Sequence, residues 1–460
     1  MSITRQLVEH YAVLKSFIMK DLGISLYLRL FGLFQLLART SASVLADKNG
    51  VYDTSTTPSN LPWNTYNYCN APHVNAAHYS SPKAKGAKLE YVNVVIRHHK
   101  RTPDNLYPQE SQLNPTTGWD CTDFHQLMFP QGGGQVDRQT LNPTWHPFAR
   151  KIWNGTCDQG QLTRQGFEDA IKHGRDFWNL YHEKLHFLSS VNERDVVIRT
   201  STEPRTQHVA SGLLFGMDPS TAGRVFPIHT QPSPIDSLPP RYSCPRADRI
   251  RSAYQSVPAW NDHIHANQDL QDKLDATLGT AGLSDWSFWY DHFFDTFTSR
   301  TCGGHTLPCN ATGVCVAETD ARRVFAIGDF EYNYIWNAAE NSTTYNQLTF
   351  GVFFQELLQN FQQFKSGAET HKLVFFVGHD GSMIRLASGL GFGKIKPLRW
   401  PALGSEIVME VWRTTPKAQF VRVLHEGTPV DGLEWVPLDA FINLLAGQVP
   451  ADIFTACGAV

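Results

Sequence analysis

Short apolar runs alternate with longer segments of helical periodicity along most of this 460-residue chain. Runs dominated by apolar residues at 91–96, 195–199 and 373–378 have the length and the β-branched or aromatic content of buried strands. The segments 162–187 and 345–364 repeat apolar residues every three or four positions, which predicts helices, and Thr163 is suited to cap the first of them. Strands that alternate with helices predict an α/β fold with a mainly parallel sheet and helices on both faces.

Each predicted strand is followed by charged or imidazole side chains. The heptad RHHKRTP follows the first strand at 97–103, a loop with Arg205 follows the second, and His379 and Asp380 follow the third. Ligands of α/β sheets bind beyond the carboxyl ends of the strands, so we expect these groups to converge in one crevice. Two guanidinium groups on one loop suit the oxygens of a phosphate, and the imidazole between them is suited to attack phosphorus.

The order of these motifs resembles that of the histidine acid phosphatases, the branch of the histidine phosphatase superfamily that includes acid phosphatases and phytases. The matching positions are Arg97, His98, Arg101, Pro103, Arg205, Thr206, His379 and Asp380. Weaker similarities at 161–166 and 420–424 extend the resemblance over the chain from about residue 89 onward. The resemblance implies a phosphoglycerate-mutase-like, three-layer α/β sandwich with a mainly parallel central sheet and an inserted α-helical cap.

The resemblance also implies a covalent mechanism. His98 would attack the phosphorus of a monoester, and Asp380, kept protonated by burial and by the nearby anionic substrate, would protonate the leaving alkoxide. The phosphate oxygens would be held by Arg97, Arg101, Arg205 and His379. This chemistry needs neither a cofactor nor a metal.

Two parts of this assignment leave alternatives open. His99 stands where the family usually has Gly, so its side chain either reshapes the pocket floor or donates to the substrate, and Lys100 is a second possible pocket residue. For Arg205 the alternative is a salt bridge with Glu203 or with a neighbouring carboxylate. Arg199 competes for the role of Arg205 because it lies nearer the end of the strand.

Composition and charge exclude other classes of partner. The net charge is −3 with no basic stripe, so the chain lacks the electrostatic signature of nucleic-acid binding. The pairs His263/His265 and His182/His186 have ligand-like spacing, but no carboxylate or cysteine completes a known pattern, which predicts surface histidines rather than a metal site. The expected partner is a small phosphate monoester, and the oligomeric state stays open.

The cysteines favour a secretory protein. Eight cysteines in loop-like surroundings predict four disulfides, with Cys457 tying the carboxyl terminus to the rest of the protein. Sequons at Asn154, Asn310 and Asn341 agree with passage through a secretory pathway.

The chain is predicted to divide into four segments. Residues 1–46 hold an apolar run at 30–38 and a small residue at 46, which favours a cleaved signal, with a membrane anchor or an amphipathic helix as alternatives. Residues 47–231 would form an N-terminal arm and the first part of the α/β core. Residues 232–327 would form the helical cap, and 328–460 the second part of the core.

The function that the sequence predicts is a secreted histidine acid phosphatase that acts through a phosphohistidine. One alternative is a phytase, although the segment 103–161 offers few cations besides Arg138 and Arg150 for a polyphosphorylated inositol. The other alternative is a catalytically weak phosphate-binding or signalling protein of the same fold, which only the unusual His99 supports.

Overall fold

The computed structural model describes residues 50–84, 86–108, 110, 118–121, 126–128, 136–138, 140–141, 143, 145–148, 152–153, 155–414 and 418–458. The predicted signal or anchor segment at 1–46 and the sequon residue Asn154 lie outside the described residues. Among the described helices, none is long and apolar enough to cross a membrane. Residues Val51–Val460 form one compact unit.

One mixed sheet is the centre of the fold. The described strands are β1 Gly50–Val51, β2 Tyr66–Asn67, β3 Lys88–Arg97, β4 Gln126–Met128, β5 Val136–Arg138, β6 Val196–Thr200, β7 Ile228–His229, β8 Leu373–Gly378, β9 Glu406–Arg413, β10 Gln419–His425, β11 Thr428–Pro429 and β12 Val436–Pro437. The central sheet has the order β11, β10, β9, β3, β8, β6, β7, and β12 pairs with β10.

The two halves of this sheet differ in direction. Strands β3, β8, β6 and β7 are parallel, as the alternation of strands and helices predicts. Strand β9 is antiparallel to both β3 and β10. The connection between β9 and β10 is too short to hold a crossover helix, so this half of the sheet is antiparallel.

The described helices lie between and after the strands along the chain. They are α1 Arg164–Trp178, α2 Pro204–Met217, α3 Pro245–Tyr254, α4 Pro258–Ala266, α5 Gln268–Leu278, α6 Asp291–Cys302, α7 Glu318–Asn333, α8 Ser342–Ser366, α9 Asp380–Gly389, α10 Leu438–Ala446 and α11 Ile453–Cys457. Helix α1 continues into a π-helical turn, Asn179–Lys184. As predicted, the Thr163 side chain caps α1 by accepting the Gly166 N–H.

Alternate strand residues build two separate cores, one on each face of the sheet. In β8, Val374 and Phe376 pack into one core, whereas Phe375 and Val377 pack into the other. The first core is covered by α8, α9 and α10, and the second by α1 and α2. Because burial of each such side chain contributes about 1.5–3 kcal/mol, the two cores fix the predicted three-layer α/β sandwich.

The aromatic segment that follows β7 belongs to the first core. Phe293, Phe294 and Phe297 of α6 are fully buried there, together with side chains of α3, α5 and α7. Helix α7 runs across the predicted boundary at 327, and the division into core and cap segments stays a prediction.

Four disulfides link the described residues, in agreement with the even cysteine count. The pairs are Cys69–Cys302, Cys121–Cys157, Cys244–Cys457 and Cys309–Cys315. The Cys244–Cys457 bond connects α11 to the start of α3, which confirms that Cys457 ties the carboxyl terminus to the rest of the protein.

Replacing both cysteines of a pair by serine should destabilise the protein according to the loop that the disulfide closes. Loss of Cys69–Cys302, with a sequence separation of 233, should lower the free energy of unfolding more than loss of Cys309–Cys315, with a separation of 6. The expected difference is about 2–3 kcal/mol, because the longer loop has more entropy in the unfolded chain. Urea unfolding of the two double variants measures it, and equal losses would contradict the prediction.

Candidate functional site

Parallel pairing brings the three charged loops to one edge of the sheet. Arg97 at the end of β3 is in register with Gly378 of β8, and Thr200 at the end of β6 is in register with Val377 of β8. The residues that follow these three adjacent strands therefore meet at the carboxyl edge, as the position of the motifs predicts.

The first loop holds His98 in a defined tautomer. Its side chain is buried, and its Nδ1–H donates to the His99 carbonyl oxygen at 2.9 Å. A carbonyl oxygen only accepts, so Nδ1 carries the proton and Nε2 is the basic nitrogen. Burial lowers the pKa of His98 well below its ordinary value, and the charges of Arg205, Arg97 and Arg101 lower it further.

Arg97 joins this loop to the loop after β8. Its Nη2 lies 3.0 Å from Oδ2 of Asp380, and its Nη1 donates to the Tyr68 hydroxyl at 3.2 Å and to the Pro401 carbonyl oxygen. The Trp400 Nε1–H donates to the same Asp380 oxygen at 2.9 Å. Sequence patterns give no sign of these contacts with Tyr68 and Trp400, because both residues lie far from the motifs along the chain.

Burial and the neighbouring donors have opposite effects on the pKa of Asp380. Burial pushes the pKa of its carboxyl upward, but the Arg97 guanidinium and the Trp400 N–H outweigh burial and bring the pKa to about 2. Burial alone therefore does not keep Asp380 protonated in the protein without substrate, and the expectation that burial and an anionic substrate together do so stays a prediction. A bound phosphate that occupies Arg97 and adds negative charge would raise this pKa.

Arg101 is held by two carboxylates that do not belong to the sequence motifs. Its Nη2 lies 2.8 Å from Oδ1 of Asp295 in α6 and 3.1 Å from Oδ2 of Asp104. Asp295 also accepts the backbone N–H groups of Asp104 and Asn105 at 2.8 and 2.9 Å. The i,i+3 spacing of Arg101 and Asp104 is visible in the sequence, whereas only folding brings α6 to this loop.

Arg205 and Arg199 lie in different surroundings. Arg205 at the start of α2 lies close enough to His98 to lower its pKa, and its Nη1 lies 3.4 Å from Oδ1 of Asp104 and 3.8 Å from Oε2 of Glu203. Thus Arg205 has the predicted ion pair with Glu203 and is also part of the arginine cluster. Arg199 is instead held by Asp236, Ser237 and Glu356.

His379 completes the group as the N-cap of α9. Its Nε2 is 2.9 Å from the Ser201 hydroxyl, and its ring centroid is 5.5 Å from that of His98. Burial and the charge of Arg205 lower its pKa well below the ordinary value. A neutral His379 has a single N–H, and its Nε2 lies at the Ser201 hydroxyl, beside the loop that carries His98.

The arrangement brings three arginines close to His98, and the Asp380 carboxylate is paired with one of them, Arg97. A model of the histidine phosphatase superfamily (branch 2) matches residues 88–426. The chain belongs to this superfamily. The matched region includes the heptad, Arg205 and the pair His379 and Asp380.

Curated relatives in the superfamily are distant. Counting factor 60 of Dictyostelium discoideum is 27% identical over 412 residues, which are 85% of this chain and 92% of that protein. Lysophosphatidic acid phosphatase type 6 of Bos taurus is 25% identical over 380 residues, 78% and 83% of the two chains. Lysosomal acid phosphatase of Homo sapiens is 21% identical over 320 residues, 67% of this chain and 64% of that protein.

Solved structures of the superfamily share the fold. The apo form of Hafnia alvei phytase has a TM-score of 0.55 at 14% identity and covers 82% of this chain and 99% of its own. The phytase from D. castellii has a TM-score of 0.52 at 14% identity, with 87% and 90% covered. These similarities confirm the predicted fold class.

The histidine phosphatase pattern is broken at His99, and the structure shows how the chain accommodates it. His99 does not adopt the left-handed backbone that would favour Gly. Its ring is buried edge-on against the His173 ring, with centroids 5.5 Å apart, and lies beside Gly404. Gly404 has φ +74°, and a Cβ there would overlap the His99 ring. The imidazole therefore packs against His173 and Gly404, which favours the alternative in which it reshapes the floor of the pocket.

Lys100 is also directed elsewhere. Its ammonium pairs with Asp169 of α1, and its carbonyl oxygen accepts the Thr163 N–H at 3.0 Å. Gly166 is required at this junction because a Cβ there would overlap the Lys100 carbonyl. Lys100 thus attaches α1 to the loop after β3, and its charge does not lie with the three arginines.

The histidine pairs with ligand-like spacing are accounted for by other contacts. Among the described residues, no group of three or more His, Cys, Asp or Glu side chains is arranged to hold a metal ion. His263 is mostly buried rather than at the surface as predicted, because its Nε2 pairs with Glu331 of α7 at 3.0 Å. The His182 Nδ1 pairs with the Leu188 carbonyl oxygen at 2.7 Å.

A double-mutant cycle tests the packing of His99 against Gly404. Gly404→Ala should destabilise the protein through both its positive φ and overlap with the His99 ring, whereas in the His99→Gly background only the backbone strain remains. We expect a coupling of about 1–3 kcal/mol in the free energy of unfolding, measured in urea. Additive effects of the two substitutions would show that the His99 ring lies elsewhere.

Proposed function

We propose that this chain is a secreted acid phosphatase that hydrolyses small phosphate monoesters through a phosphohistidine intermediate. The observation that carries the proposal is the position of His98, which is buried, has its Nδ1–H on the His99 carbonyl oxygen and lies close enough to Arg97, Arg101 and Arg205 for their charges to lower its pKa. An ordinary histidine is mostly protonated at pH 5 and has lost its nucleophilic lone pair. His98 with a strongly lowered pKa keeps that lone pair in an acidic medium.

In the first step, Nε2 of His98 attacks the phosphorus and the bond to the ester oxygen breaks. The Nδ1–H bond to the His99 carbonyl oxygen orients the ring and stabilises the positive charge that the imidazole gains. The three arginines hold the non-bridging oxygens and offset the negative charge of the transferred group. No cofactor takes part in this step.

Asp380 donates a proton when the ester bond breaks and accepts one when the intermediate is hydrolysed. The bound phosphate displaces Arg97 from the carboxylate and adds negative charge beside it, and both changes raise the pKa of Asp380 from about 2. The protonated carboxyl group then donates to the leaving alkoxide. The resulting carboxylate accepts a proton from the water that cleaves the N–P bond, and phosphate is released.

The alternatives receive less support. A catalytically weak phosphate-binding or signalling role rests on His99, whose ring packs behind the loop against His173. A phytase role agrees with the solved relatives only in fold, since they are 14% identical to this chain. Carboxylates of Asp104 and Asp295 beside the arginines disfavour a polyphosphorylated substrate.

The secretory location rests on the covalent links. Four disulfides are stable in an oxidising compartment, and the sequon residue Asn341 is exposed, as glycosylation there would require. The distant relative in Homo sapiens is named as a lysosomal acid phosphatase.

His98→Asn should lower kcat for p-nitrophenyl phosphate at pH 5 by at least ~10³-fold, because no nucleophile remains for the covalent step. Rapid quenching with labelled substrate should leave phosphate bound to the native protein and none on the variant. The matched control is His265→Asn, which changes an exposed histidine of α4. Turnover by His98→Asn at the native rate would exclude His98 as the nucleophile.

Asp380→Asn should separate leaving groups by their need for a proton. For glycerol 2-phosphate, whose alkoxide is a poor leaving group, kcat/KM should fall by about 10²–10⁴-fold, whereas p-nitrophenyl phosphate should lose much less. Asp53→Asn, at an exposed ion pair with Arg322, controls for the change in charge. Equal losses for both esters would rule out a general acid.

A further inference from the structure

Four carboxylates pair with the three arginines of the candidate site, and one of the four, Glu203, is shared with a further arginine, Arg241. The ion pairs are Arg97 with Asp380, Arg101 with Asp295 and Asp104, and Arg205 with Asp104 and Glu203. His98 and His379 add no charge, because both have strongly lowered pKa values. The cluster that receives the phosphate is therefore not strongly positive, although it is built around three arginines.

Asp104 has a special position in this balance because it is shared between two arginines. Its Oδ2 lies 3.1 Å from Nη2 of Arg101 and its Oδ1 lies 3.4 Å from Nη1 of Arg205. Its side chain is 35% exposed, against 8% for Asp295, so Asp104 lies on the solvent side of the pair. Glu203, the remaining carboxylate near Arg205, also pairs with Arg241.

The backbone fixes the Asp104 carboxylate in this place. The Asp104 N–H donates to Oδ2 of the buried Asp295 at 2.8 Å, and the Gly160 N–H donates to the Pro103 carbonyl oxygen at 3.0 Å. A Cβ at Gly160, which has φ +67°, would overlap the Asp104 carboxylate, so the loops approach as closely as glycine allows. The negative charge at the mouth of the site is thus part of the fold.

We propose that Asp104 determines the substrate class of this site. It restricts the site to esters that carry one phosphate group on an uncharged or cationic alcohol, and rejects alcohols with a second phosphate near the scissile bond. This inference rests on the proposed phosphatase function and goes beyond it. A second phosphate carries about −1.5 to −2 charges, and repulsion by a fixed carboxylate within about 8–10 Å lowers its binding about tenfold.

The test compares two substrates that differ by one phosphate group, fructose 6-phosphate and fructose 1,6-bisphosphate. The native protein should favour the monophosphate in kcat/KM. Asp104→Asn, which keeps the shape of the side chain, should shift this preference about tenfold toward the bisphosphate, and Asp104→Lys should shift it further. The matched control Asp269→Asn removes the same charge from an exposed ion pair with Arg323 and should leave the preference unchanged.

Two outcomes would overturn the inference. One is an unchanged preference in both Asp104 variants. The other is an equal loss of kcat/KM for both substrates in Asp104→Asn, which would make Asp104 a residue that only positions the arginines. Thermal unfolding of each variant identifies a failure to fold, in which case the less perturbing Asp104→Glu should retain the native preference for the monophosphate.

Calorimetric titration separates this inference from the proposed function. The ratio of dissociation constants for inorganic phosphate and tripolyphosphate should shift about tenfold toward tripolyphosphate in Asp104→Asn, whether or not the protein turns over an ester. If the native protein releases no phosphate from any ester but Asp104→Asn still shifts the ratio of dissociation constants, the phosphatase function would be refuted and the role of Asp104 supported. Hydrolysis of esters with an unshifted binding ratio would support the phosphatase and refute the role of Asp104.

Discussion

The burial of three guanidinium groups at one edge of the sheet is the constraint on which the site depends. The side chains of Arg97, Arg101 and Arg205 are only 1%, 8% and 15% exposed. An unpaired buried charge costs several kcal/mol, so each arginine requires a carboxylate partner. Asp380 after β8 and Asp295 in α6 supply partners from separate parts of the chain. The ion pairs therefore attach the loops and α6 to the sheet at the place where the ligand would bind.

The same charges act in opposite directions on the two groups proposed for catalysis. Burial lowers the pKa of His98 and the arginines lower it further, whereas for Asp380 the Arg97 guanidinium outweighs burial and brings the pKa to about 2. In the proposed mechanism, His98 would therefore be neutral before the substrate binds, and Asp380 would gain its proton only in the complex with phosphate.

His99 shows how packing absorbs a departure from a family motif. The His99 ring occupies the space that is left free because residue 404 has no side chain. The backbone carbonyl oxygen of His99 still fixes the tautomer of His98. The substitution therefore changes the support of the nucleophile and leaves the arginine cluster intact. A side chain that packs away from the substrate influences the stability of the protein more directly than it influences substrate binding.

Local patterns in the sequence determined the elements and the chemistry: apolar runs for β3 and β8, Thr163 as the cap of α1, and the heptad with His379 and Asp380 at strand ends. These features depend on neighbouring residues and on the parallel pairing that such strands favour. Only the tertiary structure decided the partners of each charge, the different surroundings of Arg205 and Arg199, the antiparallel half of the sheet and the disulfide pairing. Those features depend on burial, which brings together residues that are up to several hundred positions apart and forces their charges and volumes to match.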